Sequence, residues 1–409
     1  MAGGGRDAAI PGESGRAVAA GRAGPDDPSG RSALSAAAPD ADLDDDAPLD
    51  GVRVLEVGGG IAAAFAARQL AGFGADVVRV EGRHDGPGLT RAEEIYLVAG
   101  KRRVVVDDGE LRALALASDI VIEDARPGRL AELGAAPADL RALRPALVVV
   151  SITPFGQTGP SRHWKSTNAV SFAMGGIMSL TGDHRREPLL TGGSQAEYLA
   201  GLHGFAAAVT AWFGATVHGE GDWIDLSAQE AAAGMLELYG PSTAYGEPVR
   251  LRMGNQTRAE WGIYPCLDGY IGLFALQRQI RSLFDAMGQP ELGDGPMGDA
   301  VHRLSHVDEL AAHIYAFTLS HTREELMELG RRHRVPMGVA LTPAELLESP
   351  DLATRGLWET VEAAEGPATV PGRPFAGLGW RPLGRLHQTG ADTGAVLDDW
   401  VVAEPGSRA

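Results

Sequence analysis

The chain is expected to be an α/β protein, a mainly parallel sheet with helices against it and a smaller α+β domain. Three observations lead there. Short β-branched runs alternate with helix-length stretches in the first half, as VRVLEV at Val52–Val57, DIVI at Asp119–Ile122 and ALVVVSI at Ala146–Ile152. The first opens a strand–helix–strand unit, with GGG as the turn, IAAAFAARQLAGFG as the helix and ADVVRVE at Ala75–Glu81 as the second strand. Near Tyr264 the texture changes, and IYPCLDGYIGLFAL reads as a hairpin turning at Asp268-Gly269.

Taken in order, residues 1–47 are rich in Ala, Gly, Pro, Ser and Asp with almost no large apolar residue, so a disordered tail is expected there. Residues 48–245 form the large domain. Beyond the strands already named it holds a strand at Arg103–Val106 and helices at Leu111–Ala117 and Pro137–Leu143. Residues 246–341 form the small α+β domain, with helices expected at Arg278–Met287, Val307–Leu319 and Arg323–Arg332. Residues 342–409, rich in Pro, Gly and acids, read as an arm returning to the large domain. No internal repeat is found.

Composition narrows the function. Of 409 residues 44% are hydrophobic, which suits two or three soluble domains with a substantial core. Lys and Arg number 36 against 54 Asp and Glu, a net charge of −18, so neither nucleic acid nor a membrane is the expected partner. A polyanionic substrate then needs a local basic pocket. The single cysteine, Cys266, excludes an internal disulfide and a cysteine metal cluster. No metal is expected. No apolar run approaches a membrane span and the N-terminus lacks the apolar core of a signal peptide, so a cytoplasmic location is expected.

The stretch singled out for chemistry is Leu189–Phe205, LLTGGSQAEYLAGLHGF, where a Gly192-Gly193 turn releases into a helix with Glu197 in its first turn. Apolar residues at Leu199, Leu202, Phe205, Val209, Trp212 and Phe213 give that helix one face for a core. Ser194 and Glu197 have the spacing of a capping box, which is one reading of the glutamate. The other is a carboxylate kept ionised by the helix N-terminus, as nucleophile or base. Three further signals have two readings each. Gly58-x-Gly60-x-x-Ala63 with Glu81 about twenty residues on approximates a dinucleotide fingerprint, but glycine after a first strand is common in doubly wound sheets. Lys101, Arg102 and Arg103 are either a solvated strand entry or a phosphate site. Gln157, in FGQTGP after a strand end, stands where open α/β sheets bind ligands, or merely turns the chain.

Several stretches together resemble the family III CoA-transferases, which include formyl-CoA and carnitine CoA-transferases and α-methylacyl-CoA racemases. They are PLDGVRVLEV (Pro48–Val57), FGADVVRVE (Phe73–Glu81), GKRRVVVD (Gly100–Asp107), SDIVIEDARPGRLAELG (Ser118–Gly134), RPALVVVSITPFGQTGP (Arg144–Pro160), AMGGIMSLTG (Ala173–Gly182), AEYLAGLHG (Ala196–Gly204), GEGDWIDLSAQEA (Gly219–Ala231) and IYPCLDGYI (Ile263–Ile271). The resemblance implies an interlocked homodimer whose large domain, Rossmann-like, is built from the first and last parts of each chain. It also implies acyl-CoA and carboxylic acids as substrates, with a heterodimer with a paralogue as the alternative assembly.

The family's nucleophile is the aspartate of A-D-x-x-x-G, and Glu197 holds that place, with Gly192 and Gly193 as the mobile turn above it and Gln157 as a further catalytic candidate. One extra methylene moves the carboxylate about 1.5 Å, enough to change aim. In the racemases a Gly-His-Asp stands where this chain has Ser166-Thr167-Asn168, so the proton-exchanging histidine is replaced by Thr167 and racemisation is not expected. Implied CoA contacts fall on Lys101, Arg102, Arg103, Asp124, Arg126, Lys165 and, one place displaced after Glu81-Gly82, Arg83. The loop that resembles ENFRPG reads Glu123-Asp124-Ala125-Arg126-Pro127-Gly128, with Asp124 an added acid, and Glu132 replaces a basic residue. The first function expected is CoA transfer between carboxylic acids through Glu197. Its rivals are a repurposed member acting on another acid or thioester, a silent subunit of a heterodimer, and last a dinucleotide oxidoreductase.

Overall fold

The computed structural model describes residues 47–82, 88–236, 239–246 and 252–402. Residues 1–46 of the expected tail, and Arg83, lie outside them. The first part of the chain runs β1 (Arg53–Val57), α1 (Ile61–Gly72), β2 (Asp76–Val80), α2 (Arg91–Val98), β3 (Arg102–Val104), α3 (Asp108–Ala117), β4 (Ile120–Glu123), α4 (Arg129–Glu132), α5 (Pro137–Leu143), β5 (Val148–Thr153), α6 (Asn168–Met174), α7 (Gln195–His218), β6 (Trp223–Ser227), α8 (Ala228–Ala233) and α9 (Tyr239–Ala244). The six strands pair in the order β3-β2-β1-β4-β5-β6, parallel throughout. That is the doubly wound order in which the chain reverses direction across the sheet between β1 and β4.

Both faces of this sheet are apolar. Val54, Ile120, Ile122, Val148, Val150 and Ile152 pack under α1 and α7, while Leu55, Val78, Val121 and Val149 pack under α3 and α5. Local signals place the helices: Thr90 and Glu93 form a capping box on α2, and Asp107 and Glu110 form one on α3. The strand expected at Arg103–Val106 begins one residue earlier and ends at Val104, since Val105 is exposed and its amide goes to the Thr393 hydroxyl.

The chain continues through β7 (Gln256–Arg258), β8 (Trp261–Cys266), β9 (Gly269–Phe274), α10 (Ile280–Ala286), α11 (Glu291–Asp294), α12 (Ala300–Ser305), α13 (Val307–Leu319), α14 (Arg323–His333) and β10 (Met337–Val339). These strands form an antiparallel sheet ordered β10-β9-β8-β7, and β8 and β9 make the hairpin, with Cys266 paired to Gly269. Tyr264, Ile271, Leu283, Phe284, Leu310 and Ile314 form its core. After α15 (Pro343–Leu347) and α16 (Pro350–Thr354), β11 (Trp358–Ala363) and β12 (Gly366–Pro371) pair antiparallel, and α17 covers Thr393–Leu397.

The last described segment packs on the first sheet. Trp400 Nε1 donates to Asp76, Asp399 pairs with Arg53 and Arg102, and Asp392 accepts the Arg103 amide. Arg68 of α1 is fully buried and clamps the same region, its NH2 donating to Glu359 Oε1 at 2.8 Å and to the Pro371 carbonyl.

Two expectations about α7 need correction. Leu199, Phe205, Val209 and Trp212 do pack against the core as expected, but Leu202 and Phe213 are exposed, and the fully buried line is the small-residue stripe Ala196, Ala200, Gly201, Gly204, Ala208 and Ala215. Small residues let α7 lie close to α1 and β5, which large ones would prevent. An 18-residue window of α7 also has mean hydropathy 1.2, so by length and composition it is able to cross a membrane, against the expectation of no such run. Its packing along α1 and β5 is that of a helix in a doubly wound layer.

Candidate active site

The crevice at the carboxyl ends of β1 and β4 is where a doubly wound sheet binds ligands. Here the chain's own Asp124 fills its inner end. Asp124 Oδ1 accepts the amides of Gly59 and Gly60, each at 3.2 Å, and Oδ2 accepts that of Ala63 at 3.1 Å. The orphan N–H groups of α1 are thereby satisfied by a carboxylate, the place a cofactor's pyrophosphate would take. A Cβ at Gly60 would stand 2.5 Å from Asp124 Oδ2, so the glycine is required by the carboxylate rather than by a nucleotide. Glu81, the expected ribose partner, is held by Arg79 and Arg103. The dinucleotide reading is therefore closed from within.

Glu197 lies beside this plug. It lines a pocket of about 120 Å³ with Gly60, Asp124, Thr153, Ser166, Thr167 and Ser171. Local sequence brings it there. A Cβ at Gly201 would come within 2.6 Å of the Ala62 carbonyl, so this glycine lets α7 touch the first turn of α1 and sets Glu197, one turn earlier, over the sheet edge. The capping box does not form: the Ser194 side chain makes no cap bond. Asn168 does the work from another helix. Its Oδ1 accepts the Ala196 amide at 2.8 Å and its Nδ2 donates to the Gly193 carbonyl at 3.0 Å, so one carboxamide spans the Gly192-Gly193 turn and the helix start. Gly193 has φ +73°, which a side chain would strain.

No described residue bonds or pairs with the Glu197 carboxylate. Burial, then the neighbouring carboxylates of Asp124 and Glu93, raise its pKa above the ordinary glutamate value. These effects act against the helix end, which favours the anion.

The other sequence candidates separate. Lys101 is fully buried, its Nζ 2.6 Å from Glu56 Oε2 and 2.8 Å from the Ala64 carbonyl, so it presents no charge to a phosphate. Arg103 is buried on Glu81 and Glu94, and Arg102 pairs with Asp76 and Asp399. The basic triplet is thus neither a solvated entry nor a phosphate site; it neutralises acids inside the fold, above all Glu56, which also holds Arg79. Arg126 is exposed and paired with Glu132, and Lys165 is exposed next to the pocket residue Ser166. Thr167 lines the pocket, whereas the exposed His163 bonds Arg162.

Gln157 does not join Glu197. It lines a second cavity, of about 140 Å³, with Glu123, Leu130, Pro137, Ser151 and Trp223, beside the α4–α5 segment. Its Nε2 donates to Glu123 Oε1 at 3.3 Å, and its amide to Asp225 at 2.7 Å. Burial, aided by the Asp124 and Asp225 charges, pushes Glu123 up to about 8, well above the ordinary carboxylate range. Sequence reasoning missed Asn168 as the cap and Glu123 as a buried acid. The available signal for Glu123 was an acid ending an otherwise apolar strand. Among the described residues, one set of side chains brings metal-type donors together, His302, His306 and Glu309, with donor atoms within 4.8 Å of one another.

Residues 49–386 match the family described as CoA-transferase family III. A succinyl-CoA–D-citramalate CoA-transferase of Chloroflexus aurantiacus is 33% identical over 333 residues, 75% of this chain and 82% of the relative. A succinate–glutarate CoA-transferase of Agrobacterium fabrum is 28% identical over 351 residues, 80% of this chain and 88% of the relative. In three dimensions the chain is similar to a CAIB/BAIF family protein of Brucella suis, with a TM-score of 0.77 at 26% identity over 87% of this chain and 100% of that one.

Proposed function

The chain belongs to CoA-transferase family III, and from that membership we propose that Glu197 is the nucleophile with which it moves CoA from one carboxylic acid to another. It is a transferase acting on CoA thioesters. The observation that carries the residue assignment is the Glu197 carboxylate itself, unpartnered, in a pocket at the carboxyl edge of the parallel sheet.

In the proposed reaction Glu197 Oε attacks the acyl carbon of the donor thioester; a C–O bond forms, the C–S bond breaks, and CoA leaves as thiolate. The thiolate then attacks the glutamyl carbonyl of the resulting anhydride, expelling the donor acid and leaving a glutamyl-CoA thioester. The acceptor carboxylate takes the glutamyl group, again freeing thiolate, which attacks the acceptor's acyl carbon and restores Glu197. No proton is consumed over the cycle. Asn168 holds the turn beside the nucleophile, and the raised pKa of Glu197 makes the carboxylate more basic and so a better nucleophile once ionised. Thr167 offers a hydroxyl where a racemase needs a base, which disfavours racemisation.

For CoA itself, Lys165 and Arg126 are the proposed contacts, exposed cations on the loops after β5 and β4. Arg126 would exchange Glu132 for phosphate. Dicarboxylic acids are the proposed substrate class, because the relatives named above act on succinyl-CoA, citramalate, succinate and glutarate. A homodimer is the proposed assembly, supported by apolar surface exposed along α7 at Leu202, Phe213 and Val217.

The decisive experiment incubates the protein with succinyl-CoA and hydroxylamine and maps the peptides by mass. A hydroxamate on Glu197 is expected. Turnover without modification there, or with modification elsewhere, overturns the assignment.

A further inference from the structure

His302, His306 and Glu309 follow one another at intervals of four and three residues, so the end of α12 and the first turn of α13 present them on one side. We propose that these three side chains form a binding site for a borderline divalent transition ion of the zinc class, at the elbow between α12 and α13 in the second sheet's layer of helices.

The donor set is the first argument. Two imidazole nitrogens and one carboxylate oxygen lie within 4.8 Å of one another, and the two rings are stacked with centroids 3.8 Å apart. Two nitrogens each about 2.0–2.1 Å from a tetrahedral zinc stand roughly 3.4 Å apart, within the span over which the donor atoms already lie. Turning the two rings out of their parallel stack aims both nitrogen lone pairs at one point, and the exposed Glu309 carboxylate completes the set. Three protein ligands leave a fourth position for water, and this nitrogen and carboxylate chemistry selects zinc-class ions over magnesium or calcium.

The second argument is the shell behind the donors. His306 Nδ1 lies 2.9 Å from the His302 carbonyl, which accepts only if that nitrogen carries the proton. Nε2 is then left with its lone pair, the arrangement by which metal-bound histidines are normally fixed. His302 has neither ring nitrogen in a hydrogen bond to a described residue. The platform is also held: Asp299 Oδ1 caps the His302 amide at 2.8 Å, and the buried Arg303 donates to the Met297 carbonyl at 2.8 Å. Ligands standing on a fixed turn lose little freedom on binding. His306 is the non-helical residue between the two helices, with φ −126° and ψ 42°, so an ion bound there would brace the elbow.

The test titrates the chelator-treated protein with zinc chloride by calorimetry, and with cobalt chloride while recording the visible spectrum. One equivalent per chain is expected, with the intense absorption of four-coordinate cobalt. H302A and H306A should each weaken zinc binding by about tenfold or more, and E309Q by less. H203A, an exposed histidine on α7, should leave the isotherm unchanged. All of these sites are partly or fully exposed, and melting without metal shows that each variant folds. The proposal is overturned if the double variant H302A/H306A keeps the same stoichiometry and affinity, if H203A weakens binding equally, or if the cobalt spectrum is that of the hexa-aquo ion.

Discussion

Asp124 Oδ1 accepts the Gly60 amide at 3.2 Å, and no other residue type at position 60 leaves room for that carboxylate. The pair explains why a glycine-rich turn stands after β1: the amides there are taken by the chain's own carboxylate. Gly60→Ala should cost about 1–3 kcal/mol by overpacking, and most of that cost should vanish in an Asp124→Ala background. Urea denaturation of the four proteins of this cycle measures the coupling. Additive costs would show that the two residues do not press on each other.

Glu197 should set the acid limb of the rate profile. Because its pKa lies above the ordinary 4.5, kcat/KM should fall with decreasing pH already above 4.5. Asp124→Asn removes the nearest like charge and should move that limb to lower pH. The stability sign is the opposite of the activity sign: the protonated native form is favoured, so the contribution is complete below pH 4.5 and is lost as pH rises through the native pKa. Glu197→Gln should therefore be inactive yet more stable than the parent at pH 7. A limb at or below pH 4.5 would contradict this.

Glu123 gives a second window. Its native pKa of about 8 against an ordinary 4.5 means the folded protein retains a proton the unfolded chain releases. Between those two values the parent should lose stability relative to Glu123→Gln by roughly 1.4 kcal/mol per pH unit, and the gap should level off above the native pKa. Denaturation midpoints taken from pH 5 to pH 9 read this directly. Parallel curves would refute it.

Asn168 should matter more to turnover than to folding. Asn168→Ala removes the cap of α7, about 1 kcal/mol, and frees the Gly193 carbonyl, so kcat should drop with little change in KM. Asn168→Asp keeps the acceptor for Ala196 and should recover the melting temperature but not the full rate. Equal recovery of both would mean the Gly193 contact is idle.

Arg68 and Glu359 are a buried pair, and losing one partner strands the other. Arg68→Ala should cost about 3–5 kcal/mol and expose the loop between β12 and α17 to limited proteolysis. An unchanged cleavage pattern would argue that the hairpin is held by other contacts.

Much of this was legible in the sequence, and the failures have physical causes. The parallel strands, the β8–β9 hairpin and helix α13 at Val307–Leu319 follow from short β-branched runs, a Asp268-Gly269 turn and a clean helical period. Lys101 was not legible as a core residue, because three consecutive basic residues look solvated. The clue lay 45 positions away in Glu56, an acid in the middle of an apolar strand, which has to be paired when buried. Ser194 and Glu197 had the right spacing for a box, but sequence spacing does not show that Asn168, from another helix, takes the Ala196 amide and caps the helix instead. Gln157 was legible as a residue after a strand end, but not as one lining a separate cavity with Glu123, since a loop's side-chain direction has no periodicity to read.

The packing of residues 380–402 on the first sheet bears on how the chain is made. Strands β1 to β3 are synthesised long before Asp392, Asp399 and Trp400 exist, so Asp76, Arg102 and Arg103 wait without these later partners. The nascent sheet can therefore form but cannot be finished. The charges themselves are not stranded in the meantime, because Asp76 and Arg102 have each other and Arg103 has Glu81 and Glu94, so the late segment locks a sheet whose charges are already paired.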